Sequence, residues 1–316
     1  MQKDSSIYVA GHTGMVGSAL VRLLKKKGYI NIITRSREDL DLLDQKAVQE
    51  FFATQNPEYV FMAAGKQGGI YANTTYRADF IYENTMMQAN VIHQSFLSEV
   101  RKLLFFACSC IYPKICTQPM REEDILGGHL EPTNEPFALA KLTGMKMCEA
   151  YNRQYGTDFM SLIPTNIYGP TTRYANMNSL VVPSLIRRIH KAKETGSSKV
   201  ELWGSGKPSR DFLFVDDLAK ASLFLMEEYG GTVGLNIGTG KEYSIAELAG
   251  TIKKVIGFEG EIYYNSTYPD GVDHKLQDTS KINSLGWSAK TDLESGIKQT
   301  YKNYLDLLKQ GHLSAI

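Results

Sequence analysis

The chain opens with short, wholly apolar runs separated by stretches in which apolar residues return every three or four positions. IYVAG (7–11) is a buried-strand run, and MVGSALVRLLKKKG (15–28) repeats apolar residues at helical spacing before stopping at Gly28. NIITRS (31–36), YVFMAAG (59–65) and KLLFFACSC (102–110) predict further strands. TGMKMCEAYNRQYG (143–156) predicts a helix closed by glycine, and FMSLIPTNIYG (159–169) a strand running into a loop. The alternation predicts an α/β fold, a doubly wound parallel sheet covered by helices.

The pattern changes after residue 168. PTTRYANMNS (170–179) is a polar loop longer than most connections, which often signals function. A helix in LVVPSLIRRIHKAKE (180–194), a short strand in KVELWG (199–204), a strand and helix in RDFLFVDDLAKASLFLME (210–227) and a tail helix near 291–308 follow. These segments predict one unit of residues 1–168 rejoined by 211–238, and a smaller C-terminal lobe of 169–210 and 239–316.

Composition narrows the classes. The 316 residues carry a formal net charge of +1, so no bulk charge recruits nucleic acid or an acidic membrane, and an anionic ligand needs a local cluster. No apolar run reaches the roughly twenty residues that span a bilayer, and MQKDSSIYVAG lacks the basic and apolar regions of a leader, so the cytoplasm is expected. Cys108, Cys110, Cys116 and Cys148 are too few for a disulfide framework in a chain this long. Cys108, Cys110 and Cys116 lie close in sequence but lack the four ligands and spacing of a zinc site, so no metal is expected.

GHTGMVG (11–17) stands between the first strand and the first helix. Glycines there permit a tight turn and close backbone approach, while the helix N-terminus attracts a pyrophosphate. The second strand ends in TRSR (34–37), with no carboxylate at its tip for a ribose 2′-hydroxyl. Arg35 and Arg37 instead suit a 2′-phosphate, which favours NADP over NAD, although two arginines on a solvated turn would look the same.

The Gly-x-x-Gly-x-x-Gly spacing resembles the extended short-chain dehydrogenase/reductases. AGHTGMVGSAL, GGIYANTTYRADFIYEN, CSCIYPK, EPTNEP, CEAYNRQYGTDF, PTNIYGP, WGSGKPSRDFLFVDDLA, NIGTGKEYSI and LGW, spread from about residue 7 to about residue 308, together resemble the GDP-L-fucose synthase family. The resemblance implies a Rossmann domain with a substrate-binding lobe. It also implies an NADPH-dependent 3,5-epimerase and 4-reductase acting on GDP-4-keto-6-deoxy-mannose. Cofactor contacts are then expected from Gly11, Thr13, Gly14, Met15, Val16, Gly17, Ala63, Ala64, Lys141, Pro164, Asn166 and Ile167, beside Arg35 and Arg37. Substrate contacts are expected from Ser109, Asn166, Arg188, Trp203, Arg210 and Asp278. Family members pair as homodimers through helices near 84–98 and 138–154.

The family reduces with a Ser, a Tyr and a Lys and epimerises with a Cys and a His. Here Lys141 and Cys110 are kept, and a Cys110 thiol beside Lys141 and a cationic nicotinamide would ionise more readily than usual. Cys108 replaces the serine, Phe137 the tyrosine and Leu180 the histidine. Phe137 keeps ring volume but cannot donate a proton, Cys108 is a weak donor, and Leu180 moves no protons. A reductase with impaired epimerisation is expected. A protein that holds NADP and a GDP-sugar without turnover, through decay or deliberate substitution, is the alternative; Leu180 argues against an epimerase with tightly bound cofactor. His129 and His190 lie outside the matched positions.

Overall fold

Twelve strands and ten α-helices make up the computed structural model, which describes residues 1–171, 174, 180–230, 234–268 and 270–313. The first part of the chain runs β1 (Ile7–Ala10), α1 (Met15–Lys26), β2 (Ile32–Ile33), α2 (Gln45–Gln55), β3 (Tyr59–Met62), α3 (Ile70–Thr75), α4 (Arg77–Leu97), β4 (Lys102–Phe106), α5 (Glu135–Tyr155) and β5 (Phe159–Pro164). Then come β6 (Asn166–Tyr168), α6 (Val181–Glu194), β7 (Lys199–Trp203), β8 (Ser209–Arg210), β9 (Phe212–Phe214), α7 (Val215–Glu228) and β10 (Leu235–Ile237). The remainder is β11 (Tyr243–Ser244), α8 (Ile245–Ile256), β12 (Glu261–Asn265), α9 (Ser280–Ser284) and α10 (Leu293–Lys309).

Six strands form one parallel sheet in the order β10-β5-β4-β3-β1-β2. Every residue of β1, β4 and β5 is buried, as parallel strands covered on both faces require. Alternate residues serve opposite faces. Tyr8, Ala10, Val60, Met62 and Phe105 join a core with residues of α2, α4 and α5, whereas Ile7, Val9, Phe61 and Leu104 join a second with α1 and α7. The winding reverses between β1 and β3, so their carboxyl ends border the crevice where ligands bind in such sheets.

A third core gathers Tyr168, Ile186, Ile189, Leu248, Ile252, Ile297 and Tyr304 among α6, α8 and α10. Short ladders β7–β12, β8–β11 and β6–β9 edge this part. Asp211 ties it to the sheet. Its backbone oxygen accepts from Thr165 Oγ1 and Asn166 Nδ2, both at 3.1 Å, and its buried carboxylate accepts from Thr239 N (2.8 Å), Thr239 Oγ1 (2.6 Å) and Gly240 N (3.2 Å). Burial raises that carboxyl to about 6 against these stabilising donors.

Two boundaries differ from the sequence reading. The strand placed at 31–36 shortens to Ile32–Ile33, because Ser36 turns to bond Asp39 through both N (3.2 Å) and Oγ (2.8 Å). The segment 159–169 carries a second strand, β6, parallel to β9. Most of the polar loop 170–179, at 172–173 and 175–179, lies outside the described residues.

Candidate active site

The glycine turn is built backbone against backbone. Gly11 has φ 80°, and a side chain there would place Cβ 2.7 Å from the N and Cα of Ala64. A Cβ at Gly17 would lie 2.7 Å from the Gly11 carbonyl carbon and 2.8 Å from His12 Cα. The start of α1 therefore nests on the end of β1, and Ala63–Ala64 at the end of β3 close the other side. No side chain caps α1 at Gly14, and its first turn, which includes Met15, Val16 and Gly17, holds no acid. An open helix N-terminus on a glycine cradle at the switch point fits a dinucleotide pyrophosphate, with Thr13 on the turn itself.

The end of β2 shows how a second phosphate would be met. Arg35 donates to Thr34 O (2.8 Å) and Gln55 Oε1 (3.0 Å) and stands 5.5 Å over the Phe51 ring. Arg37 is exposed. Asp39, the nearby acid, is turned into its own loop by Ser36, whose donation holds the carboxyl below its ordinary value. A pre-held guanidinium without a competing acid at the strand tip suits a 2′-phosphate.

Lys141 lies at the chemical centre. α5 starts at Glu135 with Pro136 in its first turn, where the missing N–H costs no helical bond, and Lys141 falls on its buried face. Its Nζ donates to Phe106 O at 2.9 Å, on the last residue of β4, and sits 4.9 Å from the Phe105 ring centroid and 6.0 Å from that of Phe137. A Cβ placed on Gly65 would come within 3.5 Å of it. Burial draws the ammonium down to about 8. Phe137 is 9 % exposed and packs edge-on against Phe80 at 6.1 Å.

Cys108, Ser109 and Cys110 follow β4, with Ser109–Ile111 in a short 3-10 turn. The tight turn brings the sulfurs of Cys108 and Cys110 face to face, with Cα atoms 5.4 Å apart. Ser109 is buried. Leu180, the other replaced position, is 41 % exposed at the head of α6.

Among the residues expected around a GDP-sugar, Arg188 and Trp203 meet: the guanidinium lies 5.8 Å from the indole and donates to Glu201 O. Trp203 stacks on Tyr268 at 4.5 Å and 17°. Arg210 donates to Ser209 O (2.6 Å) and Asp273 O (3.5 Å), with burial pulling its value down. Asp278 accepts from Ser280 N at 2.8 Å and faces Arg121 Nε at 3.6 Å. Pro164 ends β5, and Asn166 and Ile167 lie on β6. His190 bonds Tyr301 Oη at 3.0 Å within the third core, a structural placement.

Three residues near this surface escaped the sequence reading. Asp270 accepts from Ser205 N at 2.9 Å in the loop after Trp203, Tyr268 supplies the stacking face, and Lys275 carries an ammonium held down to about 8 by burial and by the charge of Arg210. Only the PDG turn gave a local cue to Asp270; nothing periodic marks Lys275. No group of three or more His, Cys, Asp or Glu suited to a metal ion occurs among the described residues.

Sheet, glycine cradle and buried lysine define an extended short-chain dehydrogenase/reductase. More narrowly, the chain belongs to the NAD dependent epimerase/dehydratase family, whose model matches residues 7–238. Over 310 residues it is 49 % identical to a putative GDP-L-fucose synthase 2 of Arabidopsis thaliana, covering 98 % of this chain and 94 % of that one. The GDP-L-fucose synthase of Escherichia coli K12 is 47 % identical over 309 residues, 95 % of this chain and 96 % of that one. Among solved structures, MlghC, a GDP-mannoheptose C4 reductase from Campylobacter jejuni with NADP bound, superposes with a TM-score of 0.90 at 43 % identity, covering 96 % and 99 % of the two chains.

Proposed function

We propose that this chain is an NADP(H)-dependent reductase of a GDP-4-keto-6-deoxy-sugar, of the GDP-L-fucose synthase type, with impaired epimerisation. The carrying observation is Lys141, buried at the carboxyl edge of the sheet of a chain that matches GDP-sugar enzymes along nearly its whole length. Beside it stand a phenyl ring, which has no proton to give, and the facing sulfurs of Cys108 and Cys110. Reduction keeps its scaffold, whereas two-centre epimerisation has lost its histidine at Leu180.

In this reading residues 1–168 with 211–238 hold the dinucleotide, and 169–210 with 239–316 complete the sugar-nucleotide pocket. Gly11, Gly14 and Gly17 hold the pyrophosphate, Arg35 and Arg37 the 2′-phosphate, and Lys141 the nicotinamide ribose. Bound dihydronicotinamide supplies hydride to the sugar C4. Arg188 and Arg210 neutralise the GDP diphosphate, Trp203 covers a ring, and Ser109 and Asn166 face the sugar. We infer a cytoplasmic homodimer paired through α4 and α5. Support comes from the exposed Ile81, Tyr82 and Leu97 on α4 and from an apolar hollow that Leu139, Leu142, Met147 and Ala150 of α5 form with Leu126.

The test is incubation with NADPH and GDP-4-keto-6-deoxy-mannose in heavy water. Falling nicotinamide absorbance with no deuterium at C3 or C5 is the expected result. Deuterium at both carbons contradicts the impaired epimerisation, and tight binding of both ligands with no turnover contradicts the reductase.

A further inference from the structure

We infer that Lys141 is itself the general acid of the reduction, giving its proton to the C4 oxygen in the place left by the missing tyrosine hydroxyl. The inference rests on the reductase reading above. At the position of the missing hydroxyl Phe137 presents only carbon, and its ring centroid lies 6.0 Å from the Lys141 ammonium. The ammonium of Lys141 spends one N–H on Phe106 O, and no other hydrogen bond or ion pair holds it among the described residues.

Its surroundings favour release of a proton. Aromatic rings of Phe105 and Phe137 line it, and Gly65, which has no side chain, packs beside Nζ, 3.5 Å from where a Cβ would stand. The charges on neighbouring elements are already matched: Lys66 pairs with Asp79 (3.1 Å) and Glu83 of α4, and Glu135 with Arg77 (3.4 Å). Burial alone therefore sets its basicity, and an ammonium near 8 is both charged at neutral pH and a competent acid. The balance is simple. The keto carbon gains hydride, the carbonyl π pair moves to oxygen, and an O–H bond forms as a Lys141 N–H bond breaks. The neutral amine then recovers a proton from solvent.

Two experiments test this. In the protein without ligands, the rate at which acetic anhydride modifies Lys141, read by peptide mass, should have its midpoint near pH 8; a midpoint above 10 overturns the assignment. With NADPH and GDP-4-keto-6-deoxy-mannose, kcat should fall about tenfold per pH unit above 8. Lys141→Met and Lys141→Arg should each lose at least ~10²-fold in kcat at saturating NADPH, the usual range for a general acid. Lys141→Arg keeps the charge and guards against a misfolded Met variant. A Lys141→Arg kcat within threefold of the parent overturns the inference. An inert parent rejects the reductase reading and the inference together, whatever Phe137→Tyr does, whereas an active parent whose Lys141→Arg variant keeps its kcat rejects the inference alone.

Discussion

Phe137 differs from a proton-donating tyrosine by one oxygen, and its ring already has a place, edge-on to Phe80 and 6.0 Å from the Lys141 ammonium. Phe137→Tyr should therefore fold as the parent does and raise kcat for ketone reduction by ~10²-fold or more, measured by NADPH consumption at saturating ligands. An unchanged rate would show that the hydroxyl has no productive position here. Asp211 gives a prediction of another kind. Burial raises its carboxyl to about 6, above the ordinary carboxylate value, so between roughly pH 4 and 6 the folded chain binds a proton that the unfolded chain does not. This group then makes folding more favourable as pH falls through 6. Comparing Tm from pH 4.5 to 7.5, Asp211→Asn should lose that slope, while also losing stability because its amide N–H₂ meets the Thr239 and Gly240 donors.

At the scale of elements, the nest of α1 on β1 leaves no room for a methyl group at Gly17. Gly17→Ala should push the turn off Ala63–Ala64 and weaken NADP+ binding at least tenfold by titration calorimetry, with a smaller effect on Tm. α8 starts on a reciprocal cap in which Glu247 N donates to Ser244 Oγ (3.1 Å) and Ser244 N to Glu247 Oε2 (2.7 Å). Ser244→Ala should cost about 0.5–2 kcal/mol in a denaturant melt without touching kcat. The apolar runs and glycine turn were legible because burial on two faces and a close backbone approach leave residue-level marks: IYVA, YVFM and KLLFF, and Gly11, Gly14 and Gly17. Lys141 was legible through its motif. The facing of Cys108 and Cys110 was not, since side chains two residues apart meet only if the turn aims them together. Nor was the stacking of Tyr268 on Trp203, since nothing in the local pattern ranks Tyr268 above its neighbours.

At the scale of the molecule, two cores flank one sheet and a third fills the smaller lobe, with Asp211 at their junction. The homodimer proposed through α4 and α5 is tested at Leu139, 40 % exposed beside the hollow. Leu139→Glu should convert a species of twice the chain mass into a monomer in light scattering, and a parent already monomeric would reject the homodimer. The stack of Trp203 on Tyr268 has an optical consequence. The chain has two tryptophans, and the other, Trp287, packs against the core between the sheet, α1 and α7. Emission from the 60 % exposed Trp203 should respond to occupancy of the proposed sugar-nucleotide face. With Trp287→Phe, one indole becomes a lamp for that face alone, so the order in which the two ligands arrive can be timed by stopped flow without a label.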